Sequence, residues 1–207
     1  MRKNNIEKTI REDWFKEHKA ELTQHGDLQV LEWYKHNTSF YYCRYVFDGS
    51  RLYVSGDMGE AVFRFTEKAT LEKISKYDLH YFHSKLSAFC EEKYSFDSDT
   101  AIERIKEEIE QAEENRDVDD DDGKEEISDR NKEINGYICT LTELIVSSRE
   151  CSYKDAWDYE VNQQYDYLTD YDTDVAEWIF KAGNVIPSRI HGYLIGLLMA
   201  FEQLGKQ

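Results

Sequence analysis

The chain is expected to fold as an α+β protein: an N-terminal helix and an antiparallel β-meander of about four strands, followed by a helical half with a protruding helical hairpin. Three observations carry that expectation. Apolar residues recur at helical spacing at the start of the chain and again from Thr70 onward. Between them, residues 28–66 hold short β-branched and aromatic runs divided by glycine turns. Within the helical half, residues 116–126 are too acidic and too poor in apolar side chains to offset the entropy of ordering. The organisation that follows is 1–97 as an α+β region with the sheet, 98–149 as an acidic helical hairpin with its loop at 116–126, and 150–207 as C-terminal helices packing on the sheet region.

Taken in order, Ile6, Ile10 and Trp14 recur every four residues, with Phe15 and Leu22 widening the stripe, so a helix is expected over the first 24 residues, ended by Gly26-Asp27. Leu28–Tyr34, Phe40–Phe47, Leu52–Val54 and Ala61–Phe65 read as four strands. Asp48-Gly49 supplies a hairpin turn, because glycine adopts positive φ without strain. Thr70 and Asp78 are expected to cap helices, the second running through Leu79, Phe82, Leu86 and Phe89. Ser98 is expected to cap a long helix carrying Ile102, Ile105, Ile109 and Ala112. The return helix carries Ile134, Ile138, Leu141 and Ile145. Ser152 is expected to cap a helix with Asp155 in its first turn and Trp157, Val161, Tyr165 and Leu168 on its apolar face. A short helix surrounds Val175, Trp178 and Ile179. Pro187 suits the first turn of a last, core-central helix, in which Gly192 and Gly196 lie one turn apart and invite close packing.

Composition excludes several classes. Aromatics make up 14% of 207 residues, which argues against general disorder. Met1–Glu7 lacks the apolar core of a signal peptide, and the longest apolar run, Tyr193–Phe201, is far short of the roughly 20 residues a bilayer requires. No membrane association is therefore expected. Cys43, Cys90, Cys139 and Cys151 have no metal or disulfide spacing and read as small buried apolar residues of a reducing compartment.

The net charge is −17, unevenly placed. Residues 91–130 carry 18 acids and 6 bases, and residues 150–177 carry 9 acids and 1 base. Such segments are commonly the solvated faces of helices. They also repel nucleic acid and attract basic protein surfaces. In the second segment the acids alternate with aromatics, a pattern able to imitate phosphates set among bases. The candidate partner-binding residues are Asp119, Asp120, Asp121 and Asp122 from the first segment, and Asp155, Trp157, Asp158, Asp166, Tyr167, Asp170, Asp172 and Asp174 from the second.

Catalytic chemistry finds no constellation. Asp57 and Glu60 form a carboxylate pair within Gly56-Asp57-Met58-Gly59-Glu60-Ala61, yet Gly56, Asp57 and Gly59 are what a tight turn between strands requires, with Asp57 bonding its own backbone. His80 and His83 stand at i, i+3 with no third ligand at a useful spacing. No catalytic residue, metal or cofactor is expected, and the chain is not expected to be an enzyme.

The run Leu52-Tyr53-Val54-Ser55-Gly56-Asp57-Met58-Gly59-Glu60-Ala61-Val62-Phe63 resembles a signature of uncharacterised phage and prophage proteins of Gram-positive bacteria. Tyr81-Phe82 with Lys85-Leu86, and the final Gly196-Leu197-Leu198-Met199-Ala200 with Glu202-Gln203-Leu204, are similar to later parts of the same family. The resemblance covers roughly residues 40–90 and 188–204. It implies no agreed activity. It does imply a cytoplasmic protein of a bacterial host cell, and phage proteins of this acidity resemble inhibitors of host defence, anti-CRISPR proteins included. Two expectations follow. In the first, an acidic inhibitor occludes the basic groove of a host protein such as a CRISPR nuclease, without itself binding nucleic acid. In the second, a phage accessory or regulatory module binds a protein through its sheet or last helix, and its acidity serves solubility.

Overall fold

The alternation of apolar and polar residues builds the first of two compact units, Met1–Lys93 together with Ile186–Gln207. The computed structural model describes residues 2–115 and 124–205 of the chain. Strands β1 (Lys19–His25), β2 (Leu28–Tyr34), β3 (Cys43–Asp48), β4 (Arg51–Gly56), β5 (Ala61–Arg64) and β6 (Leu86–Phe89) form one antiparallel sheet in sequence order. Leu31 lies opposite Tyr45, Tyr45 opposite Val54, and Val54 opposite Ala61. The next row joins Phe47, Leu52 and Phe63. Period-two alternation thus places one buried row after another on a single face.

That face is covered by α7 (Ser188–Leu204), preceded by Pro187 as its N-cap. The expected close approach is present. A methyl group at Gly192 would overlap Met58 Cε, and one at Gly196 would lie 2.6 Å from Tyr45 Oη. Two buried tyrosines fasten the contact. Tyr45 Oη donates to the Tyr193 carbonyl at 3.1 Å, and Tyr193 Oη donates to the Met58 carbonyl at 2.7 Å.

The class is α+β as expected, but the sheet has six strands rather than about four. Helix α1 (Arg2–Thr9) passes into a π-turn at Ile10–Trp14 and stops at Phe15. Residues 19–25, expected to be helical, are an edge strand. Gly26-Asp27, read as a helix stop, is a two-residue hairpin turn with Gly26 at φ +61°, and His25 pairs with Leu28. The i, i+4 spacing that suggested one long helix is satisfied by Ile6, Ile10 and Trp14 alone. Leu22 belongs to a strand that is almost wholly exposed, so neither burial period marks it. Its edge is covered in part by Gln203, whose Oε1 accepts from Ala20 N–H at 2.7 Å.

Thr70 and Asp78 cap α2 (Leu71–Ile74) and α3 (Leu79–Ser84) through their side chains. Helix α3 ends sooner than expected. Leu86–Phe89 instead pairs with β5 as the sixth strand, across a bulge at Val62/Phe63. Its backbone satisfies the edge of β5, an advantage that local spacing cannot display.

The second unit is Tyr94–Val185. It contains α4 (Ser98–Glu114), α5 (Lys124–Ser148) and α6 (Lys154–Thr169), two 3-10 turns at Val175–Glu177 and Ile179–Lys181, and a ribbon of β7 (Ser95–Phe96) with β8 (Asn184–Val185). Residues 124–126, expected in the loop, begin α5. Asp97, not Ser98, caps α4, accepting from Thr100 N–H at 2.8 Å. Tyr153 stands at the N-cap of α6 without a side-chain bond, so Ser152 is not the cap. Ile105 from α4, Ile134, Tyr137 and Leu141 from α5, and Trp157, Val161 and Leu168 from α6 share one core with Val175 and Ile179. Residues 150–185 lie in this unit with the hairpin, and residues 186–207 in the unit with the sheet. Cys43 and Cys151 are buried, whereas Cys90 and Cys139 are exposed, contrary to the reading of all four as buried. Cys139 falls on the side of α5 opposite Ile134, Tyr137 and Leu141, and Cys90 follows the end of β6.

Two predictions follow from this packing. Gly196→Ala forces a methyl against a hydrogen-bonded ring and is expected to cost about 1–3 kcal/mol. Gly192→Ala chiefly displaces the flexible end of Met58, with the Trp14 ring next at 3.3 Å, and is expected to cost less than Gly196→Ala, about 1 kcal/mol; chemical denaturation of the two variants checks the order. Burial also holds the His18 and His83 rings below their ordinary pKa of 6.5. The unfolded chain therefore binds protons that the folded one does not as pH falls below 6.5. Stability present above that value is lost as pH drops through it, so the denaturation midpoint should fall between about pH 7.5 and 5.5. A midpoint constant over that range would contradict two neutral buried rings.

Candidate functional site

The negative charge belongs to one unit. Residues 94–185 hold 27 acidic and 9 basic residues, a net −18, whereas the first unit holds 16 acidic and 17 basic, a net +1. A net charge of magnitude about 2–8 serves the solubility of a small domain. The second unit carries more than twice the upper end of that range.

Helix periodicity decides where these carboxylates point. On α6 the buried side is set by Trp157, Val161 and Leu168. At about 100° per residue, Asp155, Tyr159, Asn162, Asp166 and Asp170 fall within an arc of about 80° on the opposite side. All five are exposed. On α4 the buried side is set by Ala101, Ile105 and Ala112. Glu103, Glu107, Glu110 and Glu114 fall within an arc of about 60° opposite it, and all four are exposed. Each helix therefore presents a coherent row of acids directed away from the core it helps to form. Polar residues at i, i+4, i+7 and i+11 were the signal for the α4 row, which the search for apolar stripes passed over.

The C-terminal members of these rows stand in positions that folding does not favour. Neither α4 nor α6 has a basic residue in its last turn. Glu113 and Glu114 close α4, and Asp166 and Asp170 close α6, against the negative end of the helix dipole. Each such charge is unfavourable by about 0.3–1 kcal/mol where exposed.

The structure sorts the residues singled out from the sequence. Asp155, Asp166, Tyr167, Asp170 and Asp174 are exposed. Asp158 is half-buried and paired with Lys154. Trp157 is not a surface anchor. It is completely buried, stacks on Phe96 at 5.5 Å and donates from Nε1 to the Ile179 carbonyl at 3.1 Å, because its apolar area closes the core of the unit. Asp172 is likewise a structural carboxylate. Its Oδ1 accepts from Asp174 N–H at 2.9 Å, and its Oδ2 accepts from Trp178 Nε1 at 3.1 Å and from Tyr137 Oη at 3.5 Å. Burial first, then Glu108 and Asp172, hold the Tyr137 phenol far above its ordinary pKa, so it stays a donor. Asp119, Asp120, Asp121 and Asp122 lie outside the described residues. Tyr159, 62% exposed in the middle of the α6 row, is the aromatic that replaces Trp157 there.

The glycine-aspartate motif is a turn between β4 and β5. Gly59 N–H donates to the Gly56 carbonyl at 3.1 Å, with φ of +133° at Gly56 and +91° at Gly59. Asp57 does not bond its own backbone, as an Asx-turn would. Its Oδ2 accepts from Tyr41 N–H at 2.8 Å, while its own N–H donates to the Tyr42 carbonyl at 3.0 Å. The motif thus holds the distant loop that follows β2. His83 is buried, with Nε2 2.9 Å from the Lys93 carbonyl. Among the described residues, no group of three or more His, Cys, Asp or Glu side chains is placed to hold a metal ion. Among them, too, no helix is long and apolar enough to cross a membrane.

Fold and surface together define an α+β protein whose charge is concentrated on the outer faces of helices. Comparison with protein-family models, curated proteins and solved structures returns no match.

The sorting of carboxylates is testable. Asp172→Ala leaves Trp178 and Tyr137 without their acceptor and should cost about 1–3 kcal/mol. Asp170→Ala, which removes a charge from an unfavourable helix end, should be neutral or stabilise by up to about 1 kcal/mol. Thermal denaturation distinguishes them, and equal losses would contradict the division.

Proposed function

We propose that the protein is a phage-encoded inhibitor of a host nucleic-acid-handling defence protein, of the anti-CRISPR kind, which occludes a basic DNA- or RNA-binding groove. The acidic outer faces of α4 and α6 are its contact surfaces. The observation that supports this reading is the pair of coherent carboxylate rows in a unit that carries nearly all the excess charge. Four glutamates along α4 recur at about 5.5 Å per charge, given a rise of about 1.5 Å per residue. A nucleic-acid strand carries one charge per about 3.4 Å. A groove lined with Lys and Arg for phosphates thus meets a comparable line of charge.

The α6 row is sparser but carries large aromatic area. Tyr159 and Tyr167 are more than 60% exposed beside Asp155, Asp166 and Asp170. Tyrosine buries wide apolar surface at small rotamer cost, so such residues suit interface anchors. Charge would then set the encounter rate, and the tyrosines the lifetime of the complex.

The test uses the full chain, tagged, in a bacterial host carrying CRISPR systems, with partners captured at low salt. A nucleic-acid-handling protein should be captured, and DNA or RNA should compete for it. Affinity should fall at least tenfold on moving from low to physiological ionic strength. Lys substitution of Asp155, Asp166 and Asp170 together, and separately of Glu103, Glu107 and Glu110, should each weaken capture without unfolding the chain. Binding that survives both salt and both triple reversals would transfer the interaction to the sheet or last helix and leave the acidity as a dispersing charge.

A further inference from the structure

The first unit holds a separate feature that the acidic rows leave unused. An open pocket of about 570 Å³ lies where the Ile10–Trp14 π-turn meets the loop between β2 and β3. Four departures from ordinary structure converge there. The π-turn itself is a rare geometry that recurs at functional sites. Asn37 and Tyr41, neither of them glycine, hold φ of +62° and +57°, a conformation that costs free energy unless its surroundings impose it. Asp57 does impose it at Tyr41, through the 2.8 Å bond to that residue's N–H. Phe40 is 72% exposed at the pocket. His18, only 5% exposed, lines the same pocket, and its ring nitrogens meet the backbones of Tyr41 and Phe40 without the geometry of a full hydrogen bond. A buried polar group left unpaired is costly.

The lining states what chemistry fits. Trp14 and Tyr41 stack on each other in parallel, with centroids 5.0 Å apart, so a ligand can meet only their outward faces, and the exposed Phe40 adds a third ring. Such faces carry negative charge density and attract cations. Asp13 and Asp57 add two carboxylates. Asp57 keeps acceptor capacity beyond its bond to Tyr41, since each carboxylate oxygen has two lone pairs. The one lysine of the lining, Lys35, is ion-paired with Glu17. Burial, the leading influence on His18, lowers its pKa and favours the neutral ring, and hydrogen bonding toward the Tyr41 and Phe40 backbones acts the other way. A neutral imidazole repels no cation and offers one lone pair to an N–H donor. An anionic ligand would meet two carboxylates. An ammonium has no plane to lay against the rings, whereas a guanidinium has both a plane and five donors.

We propose that this pocket binds a guanidinium group, presented by an arginine side chain or by a small guanidine. The aromatic side chains stack on its plane, and Asp13, Asp57 and His18 accept its N–H groups. The site belongs to the first unit and does not depend on the function proposed for the acidic faces.

Agmatine titrated into the full-length protein at constant ionic strength tests this by nuclear magnetic resonance. The Trp14 indole and His18 ring signals should shift together and saturate as a single site, and butylamine should bind several-fold more weakly. Phe40→Ala and Asp13→Asn alter exposed side chains, so the fold should be retained, as the remaining spectrum verifies. Each should weaken agmatine binding about fivefold. An arginine-containing tripeptide binding at least as tightly as agmatine would assign the guanidinium to a protein partner, and the reverse order to a small molecule. No saturable shift at millimolar agmatine, an equal response to sodium chloride, or unchanged binding in both variants would overturn the proposal. So would saturation of the same signals by adenosine in preference to agmatine.

Discussion

The approach of α7 to the sheet is the constraint on which the first unit depends. Two glycines remove the methyl groups that would hold the helix off, and Met58 and Tyr45 fill the space directly. Once the backbones are that close, the phenols of Tyr45 and Tyr193 can reach carbonyls on the opposing element. Buried hydroxyls without acceptors would be costly, so the two bonds permit large aromatic rings at the centre of the layer. The turn at residues 56–59 serves the same contact. It delivers Met58 beneath α7, and its backbone carbonyl is the acceptor for Tyr193. The string that looked most like chemistry in the sequence is therefore a packing device. Its glycines admit the Tyr42 carbonyl and the Cys90 and Arg189 side chains, which any Cβ would displace.

The second unit solves a different problem. Its helices carry far more negative charge than they can pair, and their C-terminal turns add carboxylates where the dipole is already negative. The compensation is apolar and internal. Trp157 and Tyr137 are fully buried, and the Asp172 carboxylate gathers three donors around the second of them. Arg104 adds its guanidinium over the Trp178 ring at 4.8 Å while pairing with Glu107 and Glu108. Acids of the same composition thus divide into two kinds. Asp172 is spoken for inside and Asp155 suits the first turn of α6, whereas Asp166 and Asp170 make no structural contribution that would account for their placement.

Where apolar period and turn chemistry agreed, the fold was legible in the sequence. β2, β4 and β5, the caps at Thr70 and Asp78, and the central place of the last helix all came from such agreement. The failures share one cause. β1 and β6 are held by pairing with strands already in the sheet, and neither buries a clean face. Leu86 and Phe89 continue a helical spacing by coincidence, and nothing local shows that β5 has a free edge to satisfy. For the acidic rows, the positions of Asp155, Asp166 and Asp170 could be read, whereas the sequence places Trp157 both on the apolar face of its helix and among the partner-binding residues. Its acidic neighbours suggest an interface aromatic, but its period with Val161 and Leu168 puts it in the core, where its Nε1 donates to the Ile179 carbonyl. The pocket at His18 left no sequence signal, since its parts come from the π-turn, from two residues at positive φ and from Asp57.

Two attractions for cations therefore coexist, and they differ in range. The rows on α4 and α6 act through summed charge, which salt screens over about 10 Å at 0.1 M. They discriminate poorly among basic surfaces, because any line of Lys and Arg satisfies them. The pocket of the first unit acts at contact. Ring faces, two carboxylates and a buried neutral imidazole reward one planar shape, although Asp13 and Asp57 are exposed and their share of the attraction is screened by salt. Charge acting at range raises the encounter rate with any basic surface, whereas a pocket acting at contact selects by shape. The strain held at Asn37 and Tyr41 is understandable in those terms. A pocket organised before its ligand arrives forfeits less ordering entropy when the ligand binds, and the bond from Tyr41 N–H to Asp57 maintains that organisation.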